Sequence, residues 1–282
     1  MLRNEIQDKT GLTRKAMEYY EEKGLIYPQK YENGYRNYSD EDLEVLTKIS
    51  FFRKLGMTVS EIEKCFSFDY NTLSSILRKK QHQLELDKKR KDLLELVIKG
   101  EERELVEERI NLIEAEESLY EKLEGAFPDY LGQMLFMAYQ PFLKEPLDKS
   151  GEEAFKKYVE YLDGLPSFEL SKEEKEYIEK MSSAFDMQSL REVHQAKISA
   201  VENAEEWLKK NEDAISQYEI YKESEEYQNS MMKEIQDKLQ RFMSDNKYYE
   251  IAIPLIRKFS RSYDDYYRKL LKANEEYLNL RA

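Results

Sequence analysis

The sequence predicts a mainly α-helical protein with one small β-hairpin close to its N-terminus. Only 9 glycines and 6 prolines occur in 282 residues, and 37% of the residues are charged, a balance typical of long, solvated helices. The hairpin signal is the pair Asn33-Gly34, because both residue types accept the positive φ angles of a tight two-residue turn. Leucines spaced seven residues apart from Leu77 onward indicate a long helix of the coiled-coil type.

The charge of the chain is unevenly distributed. The formal net charge is −13, yet residues 1–82 contain 14 Lys and Arg against 13 Asp and Glu, whereas residues 120–282 contain 24 against 33. The acidic part repels phosphate. Any nucleic-acid contact is therefore expected from clustered cations near the N-terminus.

The use of cysteine and histidine limits the metal chemistry. There is one cysteine, Cys65, and the two histidines, His82 and His194, lie far apart. One chain cannot form a disulfide, and we expect no metal cluster and no cofactor. No apolar run approaches the ~18 residues that span a bilayer, and the first residues lack a signal-peptide pattern. We expect a cytoplasmic protein with no membrane partner.

The first element is a pair of short helices around a turn. The segment Thr10-Gly11-Leu12 separates them, and Thr13 is a good N-cap for a second helix. This helix runs to about Lys23 and is ended by Gly24. Two short helices joined by such a turn are a helix-turn-helix candidate.

A hairpin and a second helix pair follow. Tyr and Arg residues flank the Asn33-Gly34 turn, which gives the hairpin the basic and aromatic character of a wing. Ser39 then caps a helix with an acidic first turn. Ser60 opens a further short helix, with Glu63 completing a capping box.

The heptad pattern predicts a dimerisation helix. Lys91 interrupts the pattern, and Gly100 is expected to break the helix, so a dimer helix over about 72–99 is favoured over a continuous rod to residue 119. The alternative is a solvated single helix that packs on its own domain. The predicted dimerisation residues are Leu77, Leu84, Leu94, Ile98 and Leu105.

The C-terminal half is predicted to be helical throughout. Long helices are expected over 187–211, 213–245 and 248–279, with earlier helix starts at Pro128 and at Ser150. Residues 120–282 contain 15 of the 22 tyrosines and 8 of the 12 phenylalanines. These rings indicate an aromatic core first of all. An aromatic, acidic pocket for a lipophilic cation is the more specific interpretation.

The order and spacing of motifs over residues 1 to about 67 resemble the MerR family of bacterial transcription regulators. The resemblance implies a winged helix-turn-helix head on a dimer helix. It also implies a homodimer, joined by an antiparallel coiled coil, that bends and untwists promoter DNA when an effector binds. RNA polymerase is a further implied partner. The matching motifs are Thr10-Gly11-Leu12-Thr13, Tyr19-Tyr20-Glu21-Glu22-Lys23-Gly24-Leu25-Ile26, Asn33-Gly34-Tyr35-Arg36-Asn37-Tyr38-Ser39, Phe51-Phe52-Arg53-Lys54-Leu55-Gly56 and Ser60-Glu61-Ile62.

The resemblance carries DNA-contact roles to individual positions. Two cations at the start of the second helix would enter the major groove, and the wing would grip the backbone near the minor groove. Most such contacts position the protein and do not specify sequence. The candidates are Arg14, Lys15, Tyr19, Arg36, Tyr38, Arg53 and Lys54.

The chain departs from the family pattern at Glu18. The family commonly has arginine directly before the Tyr19-Tyr20 pair. A carboxylate cannot hold a phosphate, so that contact is either absent or transferred to Arg14 or Lys15.

The sequence thus predicts a mainly α protein: a winged helix-turn-helix head with a small β-hairpin wing over 1–70, a long coiled-coil dimer helix with a linker over 71–119, and an all-helical C-terminal effector domain over 120–282. Its expected function is sequence-specific regulation of transcription, with double-stranded DNA and a second copy of itself as partners. The effector-binding residues are not assigned. An enzyme is not indicated, because there is no nucleophile elbow, phosphate loop or metal spacing. The alternative is a DNA-tethered interaction module whose acidic helical domain binds a partner protein.

Overall fold

The computed structural model describes residues 1–32, 34–66 and 70–279, with side chains described from residue 73 in the last range. The chain divides into two units, Met1–Leu73 and Ser74–Ala282, here called the head and the helical unit. The fold is mainly α-helical with one two-stranded antiparallel sheet, as the sequence predicts. Within the described ranges, no helix is both long and apolar enough to cross a lipid bilayer.

The head begins with the predicted pair of short helices. α1 (Arg3–Thr10) ends where Gly11 adopts a φ of +71°, a conformation that glycine reaches without steric cost. α2 (Arg14–Glu22) has Thr13 as its N-cap, and the Thr13 hydroxyl accepts a hydrogen bond from the backbone N–H of Ala16 at 3.2 Å. The turn and the cap together set the direction of α2.

A third helix packs behind this pair. α3 (Asp40–Lys54) has Ser39 as its N-cap, in the predicted position. The buried hydroxyl of Ser50 donates a 2.6 Å hydrogen bond to the carbonyl of Thr10, which ties α3 to the end of α1. The core between these elements is apolar and includes Ile6, Met17, Ile26, Leu46, Ile49 and Phe52.

The fourth helix starts earlier than predicted. α4 (Val59–Lys64) is capped by Thr58, whose side chain and that of Glu61 form the capping box. The predicted box of Ser60 and Glu63 is wrong. Both pairs satisfy the same four-residue rule, so the local sequence alone does not choose between them.

The wing consists of two very short strands. β1 (Gln29–Lys30) pairs antiparallel with β2 (Arg36–Asn37). A hairpin of this length is marginal on its own, and the N-terminal segment supports it. Leu2 forms a bridge to Asn37, and the amino group of Met1 donates a 2.6 Å hydrogen bond to the carbonyl of Tyr38.

The strand register differs from a two-residue Asn33-Gly34 turn. Lys30 lies opposite Arg36, whereas a two-residue turn would place Lys30 opposite Asn37. Gly34 has a φ of +80°, and the register corresponds to a three-residue loop with glycine in the left-handed position. Asn33 itself lies outside the described residues.

The helical unit opens with a helical hairpin. α5 (Tyr70–Ile98) ends before Gly100, which has a φ of +80°, so the predicted break is confirmed. α6 (Arg103–Ala126) runs back antiparallel to α5, as shown by the ion pairs of Lys79 with Glu124 and of Lys89 with Glu116, in which the α6 residue number falls as the α5 residue number rises. Leu105, predicted on the same seam as Leu77, therefore lies beyond the reversal, on α6.

The remaining helices are shorter than the sequence predicts. The expected helix over 187–211 is interrupted after residue 202, and the one over 213–245 is interrupted after residues 223 and 228. Pro128 does not begin a helix, since α7 starts two residues later, and α8 is capped by Asp148 before Ser150. The elements are α7 (Tyr130–Tyr139), a 3-10 turn (Gln140–Phe142), α8 (Lys149–Asp163), α9 (Lys172–Ser182), α10 (Met187–Glu202), α11 (Ala204–Lys210), α12 (Glu212–Glu223), α13 (Glu225–Gln228), α14 (Met231–Asp245), a π-helical turn (Tyr248–Ala252), α15 (Ile253–Phe259) and α16 (Arg261–Asn279).

The core of the helical unit is aromatic, as its composition predicts. Within it, the hydroxyls of Tyr139 and Tyr248 are 2.6 Å apart and form a hydrogen bond, which satisfies both polar tips in an apolar setting. α7 crosses α6 very closely at Gly132, because a Cβ built there would lie 2.4 Å from the carbonyl oxygen of Phe127. The central side chains are Leu119, Leu123, Phe127, Phe136, Met137, Tyr158, Phe168, Ala252 and Ile256.

Candidate nucleic-acid interface and associated surfaces

The outer face of α2 carries three of the seven predicted DNA contacts. Arg14 and Lys15 lie exposed in its first turn, and the ring of Tyr19 is 42% exposed one turn later. Tyr20 is buried instead, because neighbouring helix residues point about 100° apart. α2 therefore presents cations and one phenol outward while Tyr20 anchors it in the core.

Glu18 lies among these contacts and holds an arginine. Its carboxylate accepts a 2.8 Å hydrogen bond from Nε of Arg14, and its distance to the guanidinium of Arg3 is 3.7 Å. The hydrogen bond from Arg14 holds the pKa of Glu18 below its ordinary value, so this carboxylate is charged at neutral pH. The residue that departs from the family pattern thus pairs with a predicted DNA-contacting side chain.

Glu21 joins α2 to the wing. Its Oε2 lies 2.5 Å from Nε of Arg36, and its Oε1 lies 2.7 Å from Nζ of Lys30. Burial alone would raise the pKa of Glu21, but the hydrogen bonds from Lys30 and Arg36 outweigh burial and lower it. The hydrogen bond to Glu21 raises the pKa of Arg36. One largely buried carboxylate therefore holds a cation from each strand of the wing.

Tyr38 is not part of the exposed wing. Its side chain is 1% exposed and lies in the core of the head, so its predicted DNA contact is wrong for this conformation. The physical reason is that β2 ends at Asn37, and the backbone of Tyr38 is held by Met1 from both sides, through a donated and an accepted hydrogen bond. The alternation that would place Tyr38 beside Arg36 requires a strand that continues.

Arg53 and Lys54 lie exposed at the C-terminal end of α3. NH1 of Arg53 donates a 2.5 Å hydrogen bond to the carbonyl of Met57. This bond fixes one edge of the guanidinium against the following turn. Arg14 and Arg36 are each held by a carboxylate of α2, whereas Arg53 is held by the turn that follows α3.

Two members of this cluster were missed by sequence reasoning, namely Lys30 and Glu21. The signal for Lys30 depends on strand register, because a one-residue slip changes which residue lies opposite Arg36. The signal for Glu21 was its position three residues after Glu18 on the same helix face. Its partners come from the wing and are not local in sequence.

α5 carries two apolar rows on different sides. Leu86 and Leu93 are buried against Ile113 of α6. The predicted dimerisation residues form the other row and remain exposed. Their exposed fractions are 52% for Leu77, 67% for Leu84, 59% for Leu94 and 77% for Ile98, with 36% for Leu105 on α6.

A groove between α6 and α8 combines an apolar floor with an acidic rim. Its volume is about 470 Å³. Among the residues that the structure describes, the rim residues Glu108, Glu114 and Glu152 have no ion-pair partner. A larger groove of about 960 Å³, near α11 and α16, is lined by both lysines and glutamates. The apolar lining of the smaller groove is Leu112, Ala115, Pro146, Leu147 and Phe155.

Comparison with known proteins shows that the chain is similar to known transcription regulators. The family described as MerR HTH family regulatory protein matches residues 3–68. The chain is 33% identical to the HTH-type transcriptional regulator CueR of Yersinia pestis over 105 residues, which cover 33% of this chain and 76% of that protein. It is 32% identical to the HTH-type transcriptional regulator YfmP of Bacillus subtilis over 127 residues, or 43% of this chain and 86% of that protein. No solved structure matches the chain.

Proposed function

The chain belongs to the MerR family of DNA-binding transcription regulators, and from this premise we propose that it acts as a homodimer on a two-fold promoter site, which it bends and untwists in response to an effector held by the helical unit. The observation that carries the proposal is the joined cluster of Arg14, Lys30 and Arg36 on α2 and the wing. Cations on a recognition helix and a wing contact the groove and the neighbouring backbone.

The proposed DNA-contacting residues are Arg14, Lys15, Tyr19, Arg36, Arg53 and Lys54, with Lys30 added from the wing. Phosphate contacts release counterions, so affinity falls steeply as the salt concentration rises. Arg36 is the strongest single candidate, because Glu21 holds only its Nε and leaves the terminal nitrogens for a phosphate.

Arg36→Ala is expected to weaken binding about tenfold at 100 mM salt and to reduce the salt slope by about one per protomer. The measurement is fluorescence anisotropy over a salt series, with a duplex that the wild-type protein has selected from a random-sequence pool. Arg109→Ala on α6, which removes the same charge from the helical unit, is the control and should leave both values unchanged. An unaltered slope in Arg36→Ala would remove the wing from the proposal.

Support for a dimer comes from the exposed row on α5. The four aliphatic side chains of this row, Leu77, Leu84, Leu94 and Ile98, are more than half exposed, and a row of this spacing is the pattern that a coiled-coil partner buries. We propose that a second copy of the chain covers this row, because regulators of the family act as dimers. In this proposal each head then binds one half of a two-fold site, and RNA polymerase reads the bent promoter.

Support for an effector comes from the groove between α6 and α8. Within the described part of the chain, its three rim carboxylates form no ion pair, and its floor is apolar with one aromatic ring, Phe155. We propose that it holds a lipophilic organic cation, because such a ligand gains from both apolar burial and carboxylate attraction. The volume of about 470 Å³ lies in the range of small-molecule sites.

Tetraphenylphosphonium is expected to raise the melting temperature of the wild-type protein, whereas tetraphenylborate, an anion of the same shape, is not. A ligand at 100 times its Kd adds about 2.7 kcal/mol to stability, which thermal-shift measurement detects. Glu114→Gln with Glu152→Gln should weaken phosphonium binding about tenfold, and Glu226→Gln, on the distant α13, should not. Equal responses to both ions would argue against a cation-selective groove.

A partner protein is the second candidate for the helical unit. α11 and α12 contain no buried residue, and Trp207, Tyr218, Ile220 and Tyr221 are exposed there. Exposed aromatic groups are enriched at protein interfaces. A stable partner that co-purifies and is lost on substitution of Trp207, together with no response to any organic cation, would favour the DNA-tethered interaction module.

A further inference from the structure

The recognition helix carries two carboxylates in the middle of the cations that meet DNA. Glu18 and Glu21 are three residues apart on α2, so they lie on one face of the helix. Glu18 holds Arg14, and Glu21 holds Lys30 and Arg36. Three cations of the interface are therefore paired internally before DNA arrives.

The pairing at Glu21 also stabilises the wing. Lys30 and Arg36 lie directly opposite each other in the hairpin, and like charges in this position repel. Glu21 is 13% exposed and contacts both cations, one with each carboxylate oxygen. It neutralises the repulsion and attaches both strands to α2.

Carboxylate and phosphate compete for the same donors. A guanidinium or ammonium group that already has a carboxylate partner releases fewer counterions when it meets a phosphate, so its contribution to backbone binding is reduced. Backbone attraction supplies essentially all of the binding to unrelated DNA, so the reduction acts there in full. Base contacts and DNA shape, which provide sequence discrimination, are not reduced in the same way.

We propose that Glu18 and Glu21 are specificity-determining residues, which suppress binding to unrelated DNA by holding Arg14, Lys30 and Arg36 on internal carboxylates. A matched site compensates for the lower backbone attraction by engaging the whole head at once. An unrelated site offers only phosphates and is bound weakly. The inference rests on DNA binding by the head and adds a role for two residues that do not themselves bind phosphate.

The test compares Glu18→Gln, Glu21→Gln and the double variant with the wild-type protein. Each is titrated with the selected duplex and with a scrambled duplex of equal length, over a salt series. Glu22→Gln is the matched control, since Glu22 is exposed on the same helix and has no ion-pair partner among the described residues. It removes the same charge from α2 without releasing a cation.

Glu21→Gln is expected to raise affinity for the scrambled duplex about tenfold at 50 mM salt and to steepen its salt slope by one to two per protomer, roughly one per released cation. Affinity for the selected duplex should rise less, so the ratio of the two affinities falls. Glu18→Gln should act in the same direction with a smaller slope change, because Arg14 is its main partner.

Three results would overturn the inference. They are a parallel loss of affinity for both duplexes, a ratio that stays constant, and a change no larger than that of Glu22→Gln. If Glu21→Gln does not fold in a thermal scan, Glu18→Gln decides the question alone, since Arg14 is largely exposed and its pairing is not needed for the core. A wild-type protein that binds neither duplex would instead contradict the proposed function.

Discussion

Glutamate at both Leu84 and Leu94 is expected to convert the proposed dimer to a monomer and to weaken binding of the selected duplex by at least about 100-fold. Two linked heads bind more tightly than one by about 10²–10⁴, because the second contact becomes intramolecular. Both leucines are more than half exposed in the single chain. The substitution therefore acts on the seam between copies and leaves the core of each chain intact.

Sedimentation velocity and anisotropy on the same samples check this prediction. Lys88→Gln, which changes the charge of an exposed α5 residue by the same amount as one leucine-to-glutamate substitution, is expected to remain dimeric. Leu86→Glu lies on the buried row and is expected to unfold the α5–α6 hairpin, as seen by circular dichroism. A double variant that stays dimeric would place the self-association surface elsewhere in the chain.

Gly132→Ala is expected to destabilise the helical unit by about 3 kcal/mol, at the upper end of the usual range for overpacking a filled site. The added methyl group would lie 2.4 Å from the carbonyl oxygen of Phe127 and 2.7 Å from that of Leu123. Both atoms belong to the backbone, so α7 must move away from α6. Urea unfolding followed by circular dichroism measures the change.

Gly125 provides the control for that substitution. It lies near the end of α6 with open space around its Cα, and alanine has the higher helix propensity by about 0.5–1 kcal/mol. Gly125→Ala should therefore stabilise slightly or leave stability unchanged. If Gly132→Ala behaved in the same way, the close approach of α7 to α6 would not be a constraint on the fold.

Local signals in the sequence predicted local structure well. Thr13 and Ser39 cap helices where expected, and each side chain accepts a hydrogen bond from a backbone N–H three residues later. Gly100 ends α5 with a positive φ. These features depend on a few adjacent residues, and the physical chemistry of a helix end is contained within them.

Features that depend on tertiary contacts were predicted less well. The register of the wing placed Lys30, not Tyr31, opposite Arg36, and the end of β2 turned Tyr38 into the core. The helices after residue 186 are shorter than their apolar periodicity indicates, since Asn203, Ser224 and Asn229 interrupt them. Apolar periodicity shows which face of a helix is buried. It does not show where the helix ends, because that depends on the extent of the element it packs against.

The same limit applies to the candidate site. The family pattern identified Arg14 and Arg36 as DNA contacts, yet it gave no sign that Glu18 and Glu21 hold them. The pair of Glu18 with Arg14 lies within α2 at a spacing of four residues, which is a local signal. The pairs of Glu21 join α2 to the wing and are decided by the folded geometry. The sequence therefore predicts the cations of the interface better than their electrostatic state.

The two apolar rows of α5 have a consequence for insertions and deletions. Adding one residue between Leu86 and Leu93 would rotate everything beyond it by about 100° and advance it by about 1.5 Å. Leu93 would leave its place against Ile113, and Leu94 and Ile98 would leave the stripe that contains Leu77 and Leu84. Only a whole heptad comes close to restoring both rows, because seven residues rotate the helix to within about 20° of two full turns. Insertions and deletions within α5 are therefore disfavoured, although much of its surface is charged and exposed. We expect natural length variation to fall in the loops beyond Gly100.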